Sequence, residues 1–241
     1  MAERANDGAM TITFITGANK GLGHETARRL IGHGHTVLLG ARDAKAGTAA
    51  AGELGARFVQ IDVTSDESVE AAAADVGQHE GAVDVLINNA GVHGPAGDPS
   101  GLTGADVLGV LDVNLAGVVR TTTAFRPLLR GSADPVIINV SSAMGSLAAT
   151  HDPSRPESGY LAPVYTASKA ALTMLTTQYA KALPSIRINA ADPGYTATDL
   201  NGNTGPQTVT EGTDAIVGLA TEGPGHGSGR FVDRDGEIKW S

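Results

Sequence analysis

The chain has 241 residues, 41% apolar and 18% charged, which is enough apolar material for a sizeable core in a single domain spanning 1–241. It contains no cysteine, so disulfides, thiolate metal sites and thiol catalysis are excluded, and no metal is expected. A formal net charge of −9 argues against general binding to nucleic acid or an anionic membrane, so any phosphate site must be local.

The opening MAERANDGAM is polar and lacks an apolar run. Residues 1–10 are therefore expected to be a flexible tail, not a signal peptide or membrane span, with the cytoplasm as the compartment. Seven β-rich runs follow, at 11–17, 35–41, 57–63, 83–91, 135–142, 186–194 and 229–233. Helical patterns lie between them at 24–33, 66–77, 103–130 and 163–183, with a last helix near 209–220. Strands alternating with crossover helices mean parallel βαβ units, and strands this apolar are covered on both faces. The expected fold class is α/β, a doubly wound parallel seven-stranded sheet of the Rossmann type.

Directly after the first strand, ITGANKGLGHETARRL places Gly17, Gly21 and Gly23 at the mouth of the first helix. There the backbone can approach a dinucleotide pyrophosphate and helix amides can bind it, although the spacing is GxxxGxG and not GxGxxG. The second strand ends LLGARDAK. Arg42 in that segment and Lys20 in the glycine loop are the cations a 2′-phosphate needs, which favours NADPH/NADP+; the adjacent Asp43 keeps NADH as a weaker alternative.

Further along, LDVNLAG places Asn114 inside the long helix, where by itself it reads as a surface residue. NVSS ends the fifth strand with Ser142, on the rim where ligands bind in open α/β sheets. The stretch 151–163, rich in Pro, Ser and Gly, is expected to be a rim loop, and 201–208 another. PVYTASKAAL then sets Tyr165 and Lys169 at i and i+4, on one helix face. A free phenol near pKa 10 exchanges protons reluctantly at neutral pH, and a neighbouring ammonium would lower that value. Ser142 can hold a carbonyl oxygen by a bond that strengthens as charge develops. Tyr160 and Tyr195 read at most as pocket walls, and His93, His151 and His226 as solvated loop residues.

With these motifs in order, the chain resembles the short-chain dehydrogenase/reductase family over nearly its whole length, in the compact single-domain branch. TGANKGLG and GARD look most like carbonyl-reductase-like members that use NADPH. The resemblance implies that Asn19, Lys20, Leu22 and Arg42 join the cofactor site, that Asp62 and Val63 hold the adenine, and that Asn89, Ala90 and Gly91 line the cofactor behind the fourth strand. It implies a catalytic tetrad of Asn114, Ser142, Tyr165 and Lys169. In family terms Tyr165 is the acid/base and Ser142 positions the substrate. Lys169 lowers the Tyr pKa and binds the nicotinamide ribose, and Asn114 helps hold a water that relays protons from Lys169. By the same resemblance Pro193, Gly194, Thr196 and Thr198 approach the nicotinamide, and 195–208 is a substrate lid.

Ser142 and Tyr165 are 23 residues apart. That is about ten more than the family usually has, and loops absorb such insertions at small entropic cost. The excess is the 151–163 loop, which leaves monomer, dimer and tetramer open. The expected activity is that of an NADPH-dependent carbonyl reductase or alcohol dehydrogenase on a small, largely apolar ketone or aldehyde. A biosynthetic ketoacyl, polyketide or steroid-like reductase and a non-catalytic dinucleotide sensor are the alternatives.

Overall fold

The structure is a computed structural model that describes residues 10–240; apart from Met10, the expected N-terminal tail lies outside the described residues. Among these residues, eight strands form one sheet: β1 (Ile12–Ile15), β2 (Thr36–Ala41), β3 (Arg57–Gln60), β4 (Val85–Asn88), β5 (Val136–Val140), β6 (Arg187–Ala191), β7 (Phe231–Asp233) and β8 (Gly236–Glu237). Their order is β3-β2-β1-β4-β5-β6-β7-β8, and every pairing from β3 through β7 is parallel. The sequence pattern predicts seven strands. The eighth is a two-residue strand antiparallel to β7, closed by a turn in which the Asp233 carboxylate accepts from the amides of Asp235 and Gly236. Two residues are too few to carry a periodic signal.

Among the described residues, nine helices accompany the sheet: α1 (Gly21–Gly32), α2 (Ala44–Leu54), α3 (Asp66–His79), α4 (Gly104–Leu111), α5 (Gly117–Leu129), α6 (Leu147–His151), α7 (Pro163–Ala182), α8 (Val209–Gly212) and α9 (Asp214–Thr221). Successive strand residues point to opposite faces, so neighbours such as Phe14 and Ile15, or Ile137 and Ile138, enter two different cores. Ile15, Leu39, Ile87 and Ile138 pack with Leu30, Ile216 and Leu219 on one side. Phe14, Leu38, Leu86 and Ile137 pack with Val76, Phe125 and Leu129 on the other. Each such side chain contributes about 1.5–3 kcal/mol when fully buried.

The sequence reading names no helix between the second and third strands. Alanine-rich α2 shows little contrast between faces, and its buried side is made of Gly47, Ala50 and Ala51. A Cβ at Gly47 would lie 2.1 Å from the Phe58 ring, so this helix sits close on the sheet. The predicted helix at 103–130 is interrupted by a π turn at Asp112–Ala116, a feature frequent at functional sites. Among the described residues, Gly104–Leu129 is the one helical run long and apolar enough to cross a membrane by composition, yet its Phe125 and Leu129 are fully buried in the core. The expected rim loop at 151–163 begins in the last residue of α6 and contains a 3-10 turn at Pro156–Gly159.

Candidate active site

The strand order reverses between β1 and β4, and the crevice beyond their carboxyl ends holds a cleft of about 570 Å³. Gly17, Asn19, Lys20, Gly21, Leu22 and Gly23 form one end of it. Gly17 has φ +64°, and a Cβ there would meet Ala90 Cα at 2.9 Å. At Gly23 a Cβ would lie 2.5 Å from Asn89 Nδ2 and 2.6 Å from the Gly17 carbonyl. The Asn89 amide explains that closeness: it donates to the carbonyls of Thr16 and Gly17, stapling the loop to the end of β4.

The α1 N-terminus has no side-chain cap and no acid in its first turn. Those of α2, α3 and α4 are capped by Asp43, Ser65 and Thr103. Open amides at a glycine cradle suit an anion, so these residues fit a dinucleotide pyrophosphate.

Farther along the cleft, Arg42 is exposed on its wall, with Asp62 and Val63 beside it. Asp43 is not on the wall: its carboxylate accepts from Ala46 N at 2.9 Å and caps α2. Burial raises the Asp62 carboxyl, but bonds from the Thr64 amide and hydroxyl and the nearby Arg42 and Arg120 charges bring it below the usual range. Lys20 pairs with Asp199 of the 195–208 segment at 2.9 Å, with both side chains well exposed.

At the chemical end, α7 presents buried Tyr165 and Lys169 to the cleft. Ser142 is half-buried in the turn after β5, where its Oγ accepts from Met144 N at 3.2 Å, and it lies close enough to the Tyr165 phenol to draw its pKa down. That turn sits tightly on α7, for a Cβ on Gly145 would lie 2.6 Å from the Lys169 carbonyl carbon. A polar ladder beneath the site aligns these elements. Asn88 Nδ2 on β4 donates to Asn139 Oδ1 on β5 at 2.9 Å, and Asn139 Nδ2 donates to Thr176 Oγ1 on α7 at 2.9 Å.

Asn114 lies in the π turn and is 1% exposed, not the surface residue its position alone suggests. Its Oδ1 accepts from Val92 N at 2.8 Å, and its Nδ2 donates to Val92 O and Ser168 Oγ, both at 2.9 Å. The side chain thereby ties the segment after β4 to α7.

The charges differ from expectation. Lys169 Nζ donates to the Val140 carbonyl at 2.7 Å and stands 5.6 Å from the centroid of the Tyr165 ring. Burial, and then the negative Asp192, push the Tyr165 phenol above its ordinary value, with the nearby Ser142 hydroxyl acting the other way. The lowering that the resemblance implies for Lys169 is not among the influences on the phenol in this arrangement, where burial dominates and the ammonium is engaged by the Val140 carbonyl. Burial lowers Lys169 itself to about 8.

Asp192, at the end of β6, is 5% exposed, and burial raises it to about 6, although the Gly194 amide, which donates to its Oδ1 at 3.0 Å, and the nearby Ala143 amide act the other way. Sequence reasoning passed over it. The signal was an acid closing an apolar strand in INAADPG.

Pro193 and Thr198 line the cleft; Gly194 and Thr196 do not. Thr196 is buried, donates to the Pro193 carbonyl and bridges to Gln207, closing the base of the 195–208 segment. Asn89, Ala90 and Gly91 line the opposite side. His93, read from sequence as a solvated residue, lies in the cleft with its ring stacked on Tyr165 at 4.9 Å. His151 and His226 are exposed.

Comparison with known proteins agrees with this geometry. The family model described as short chain dehydrogenase matches residues 11–208. The short-chain dehydrogenase anuI of Penicillium roqueforti is 34% identical, over 94% of this chain and 95% of its own. NADPH-bound carbonyl reductase from chicken fatty liver superposes with a TM-score of 0.84 at 27% identity, covering 95% of this chain and 98% of that one. A 3-ketoacyl-(acyl-carrier-protein) reductase from Brucella melitensis, complexed with NADH, superposes at 0.80 with 25% identity over 92% and 96%. A sheet that switches direction at a glycine cradle, matched by family from β1 to the base of the 195–208 segment, identifies the chain as an oxidoreductase of the short-chain dehydrogenase/reductase family.

Proposed function

We propose that the chain is an NADPH-dependent carbonyl reductase, interconverting a ketone or aldehyde and the corresponding alcohol, with Tyr165 as general acid/base. The observation that carries this reading is the pair of buried Tyr165 and Lys169 on one face of α7, lining a cleft whose other end carries Arg42.

When bound, the reduced nicotinamide supplies the hydride that turns a carbonyl carbon into an alcohol carbon. The uncapped α1 amides and Gly17–Gly23 loop hold the pyrophosphate, and Arg42 holds the 2′-phosphate through its planar fork. Asp43 lies off the cleft wall with one carboxylate oxygen capping α2, which supports NADPH over NADH.

A phenol held above its ordinary value is protonated at neutral pH, the form that gives a proton to a carbonyl oxygen. Ser142 donates to the same oxygen as negative charge develops on it. Lys169, near 8, supplies positive charge beside the phenolate left behind, and Asn114 holds the segment after β4 against α7.

The Brucella neighbour raises a carrier-borne ketone as a second substrate type. Two cations near the cleft are already paired, Lys20 with Asp199 and Arg155 with Glu157, which favours a small free substrate.

The test is the initial rate of NADPH oxidation against a panel of aldehydes, diketones and cyclic ketones. Tyr165→Phe is expected to lower kcat by at least about 10²-fold, the scale of general acid catalysis. Turnover by the Phe variant at the parent rate would refute the assignment.

A further inference from the structure

Aromatic residues are scarce in this chain, with four Phe, four Tyr and one Trp. Three of the four tyrosines nevertheless join, through His93, in one run of rings that starts from Tyr165 in the cleft and leads out of it. From Tyr165 the rings run to His93 at 4.9 Å and 20° between planes. They continue to Tyr160 at 6.1 Å and 84°, then to Tyr195 at 6.4 Å and 54°. These separations fall within the range of favourable offset and edge-to-face contacts.

Beyond Tyr165 on α7, the other three rings come from three separate segments: the one after β4, the inserted rim segment before α7, and the 195–208 segment after β6. Tyr160 and Tyr195 stay 42% and 45% exposed and do not line the cleft itself; they continue the ring run outward from His93, which does. Leu161 and Leu200, 66% and 43% exposed, flank them in sequence or line the cleft. Polar tethers hold two of the rings: Tyr195 Oη is 2.5 Å from Thr204 Oγ1, and His93 Nδ1 is 3.1 Å from the Gly94 carbonyl. An open-chain aliphatic substrate needs only an apolar surface, which leucines supply. A connected run of aromatic faces and edges adds a directional attraction that only a flat π-system returns.

We infer that His93, Tyr160 and Tyr195 form an aromatic wall that selects carbonyls attached to a flat, conjugated ring, such as aryl ketones and fused-ring diketones, over saturated ketones of equal size. The inference rests on the reductase reading above and adds the substrate class to it.

Acetophenone and cyclohexyl methyl ketone make a matched pair, having the same carbon skeleton with and without the π-system. Conjugation makes the aryl ketone the less electrophilic of the two, so a preference for it reports binding in the site and not intrinsic reactivity. With NADPH in excess, wild type is expected to favour acetophenone in kcat/KM by roughly tenfold, the scale of one or two aromatic contacts. The double variant Tyr160→Leu/Tyr195→Leu keeps apolar bulk and is expected to remove most of that ratio, with the KM for NADPH unchanged. Unaltered thermal melting shows that the variant is folded.

Turnover of both ketones with the same ratio in wild type and variant overturns the wall and leaves the reductase reading standing. Turnover of neither ketone, or of any carbonyl in the wider panel, with NADPH binding seen by fluorescence, overturns the reductase reading and the wall with it.

Discussion

Replacing Asp192 by Asn tests the charge balance at the centre of the site. Asp192 faces Tyr165 and Lys169 on α7, Asp233 on β7, and Arg155 and Glu157 in the rim segment. Raising its carboxyl from 3.8 to about 6 corresponds to about 3 kcal/mol. The folded chain holds this proton more tightly than the unfolded chain does, so the contribution is present below pH ~4 and is lost as pH rises through 6. Asn never ionises, but it gives up one of the carboxylate's acceptor positions beside the Gly194 and Ala143 amides, which costs about 1 kcal/mol. Asp192→Asn is therefore expected to match wild type near pH 4.5 and to be about 2 kcal/mol more stable at pH 8, measured by urea unfolding at both values. A difference that is the same at both pH values would refute the reasoning, because Asp192 would then ionise without penalty in the fold. The same variant removes a charge that pushes the Tyr165 phenol up, so the pH profile of alcohol oxidation, which needs the phenolate, should move to lower pH.

Two more substitutions separate the ends of the cleft. Arg42→Asp is expected to lower kcat/KM for NADPH about 10²-fold, the value of a charge-assisted bond, and to leave NADH nearly unaffected; an unchanged ratio of the two cofactors would remove Arg42 from the site. Gly145→Ala forces the Ser142 turn away from α7, since the new methyl would meet Lys169 backbone at 2.6 Å. A loss of about 1–3 kcal/mol is expected, with kcat falling more than tenfold at constant KM for NADPH. A fall in stability with kcat intact would mean that the turn does not position Ser142.

How far the sequence reveals this site depends on whether the signal is local. Strand and helix alternation is a period carried by neighbours, so the sheet and its seven parallel strands were legible. The glycine loop was legible too, because strand, glycines and helix are contiguous. Tyr165 and Lys169 were legible as one helix face, but the direction of the phenol's shift was not. It depends on burial and on Asp192, which lies 27 residues after Tyr165 and approaches it only through the β6 and α7 packing. His93 was misread for the same reason: its stacking partner lies 72 residues away. Asn114 looked exposed because its helix was read as regular, whereas the π turn places it against Val92 and Ser168. α2 escaped because a face of Gly and Ala has no hydrophobic period to detect.

The Asn88–Asn139–Thr176 ladder bears on how such an enzyme can change. It ties α7 to the sheet through residues that do not line the cleft. Loops above can then be exchanged while Tyr165 stays aimed. The cleft's chemistry and its appetite are thus carried by separate parts of the chain, and libraries drawn over 93, 160 and 195 should diversify substrate range with the tyrosine still in register. Changes in the ladder would instead silence every substrate at once.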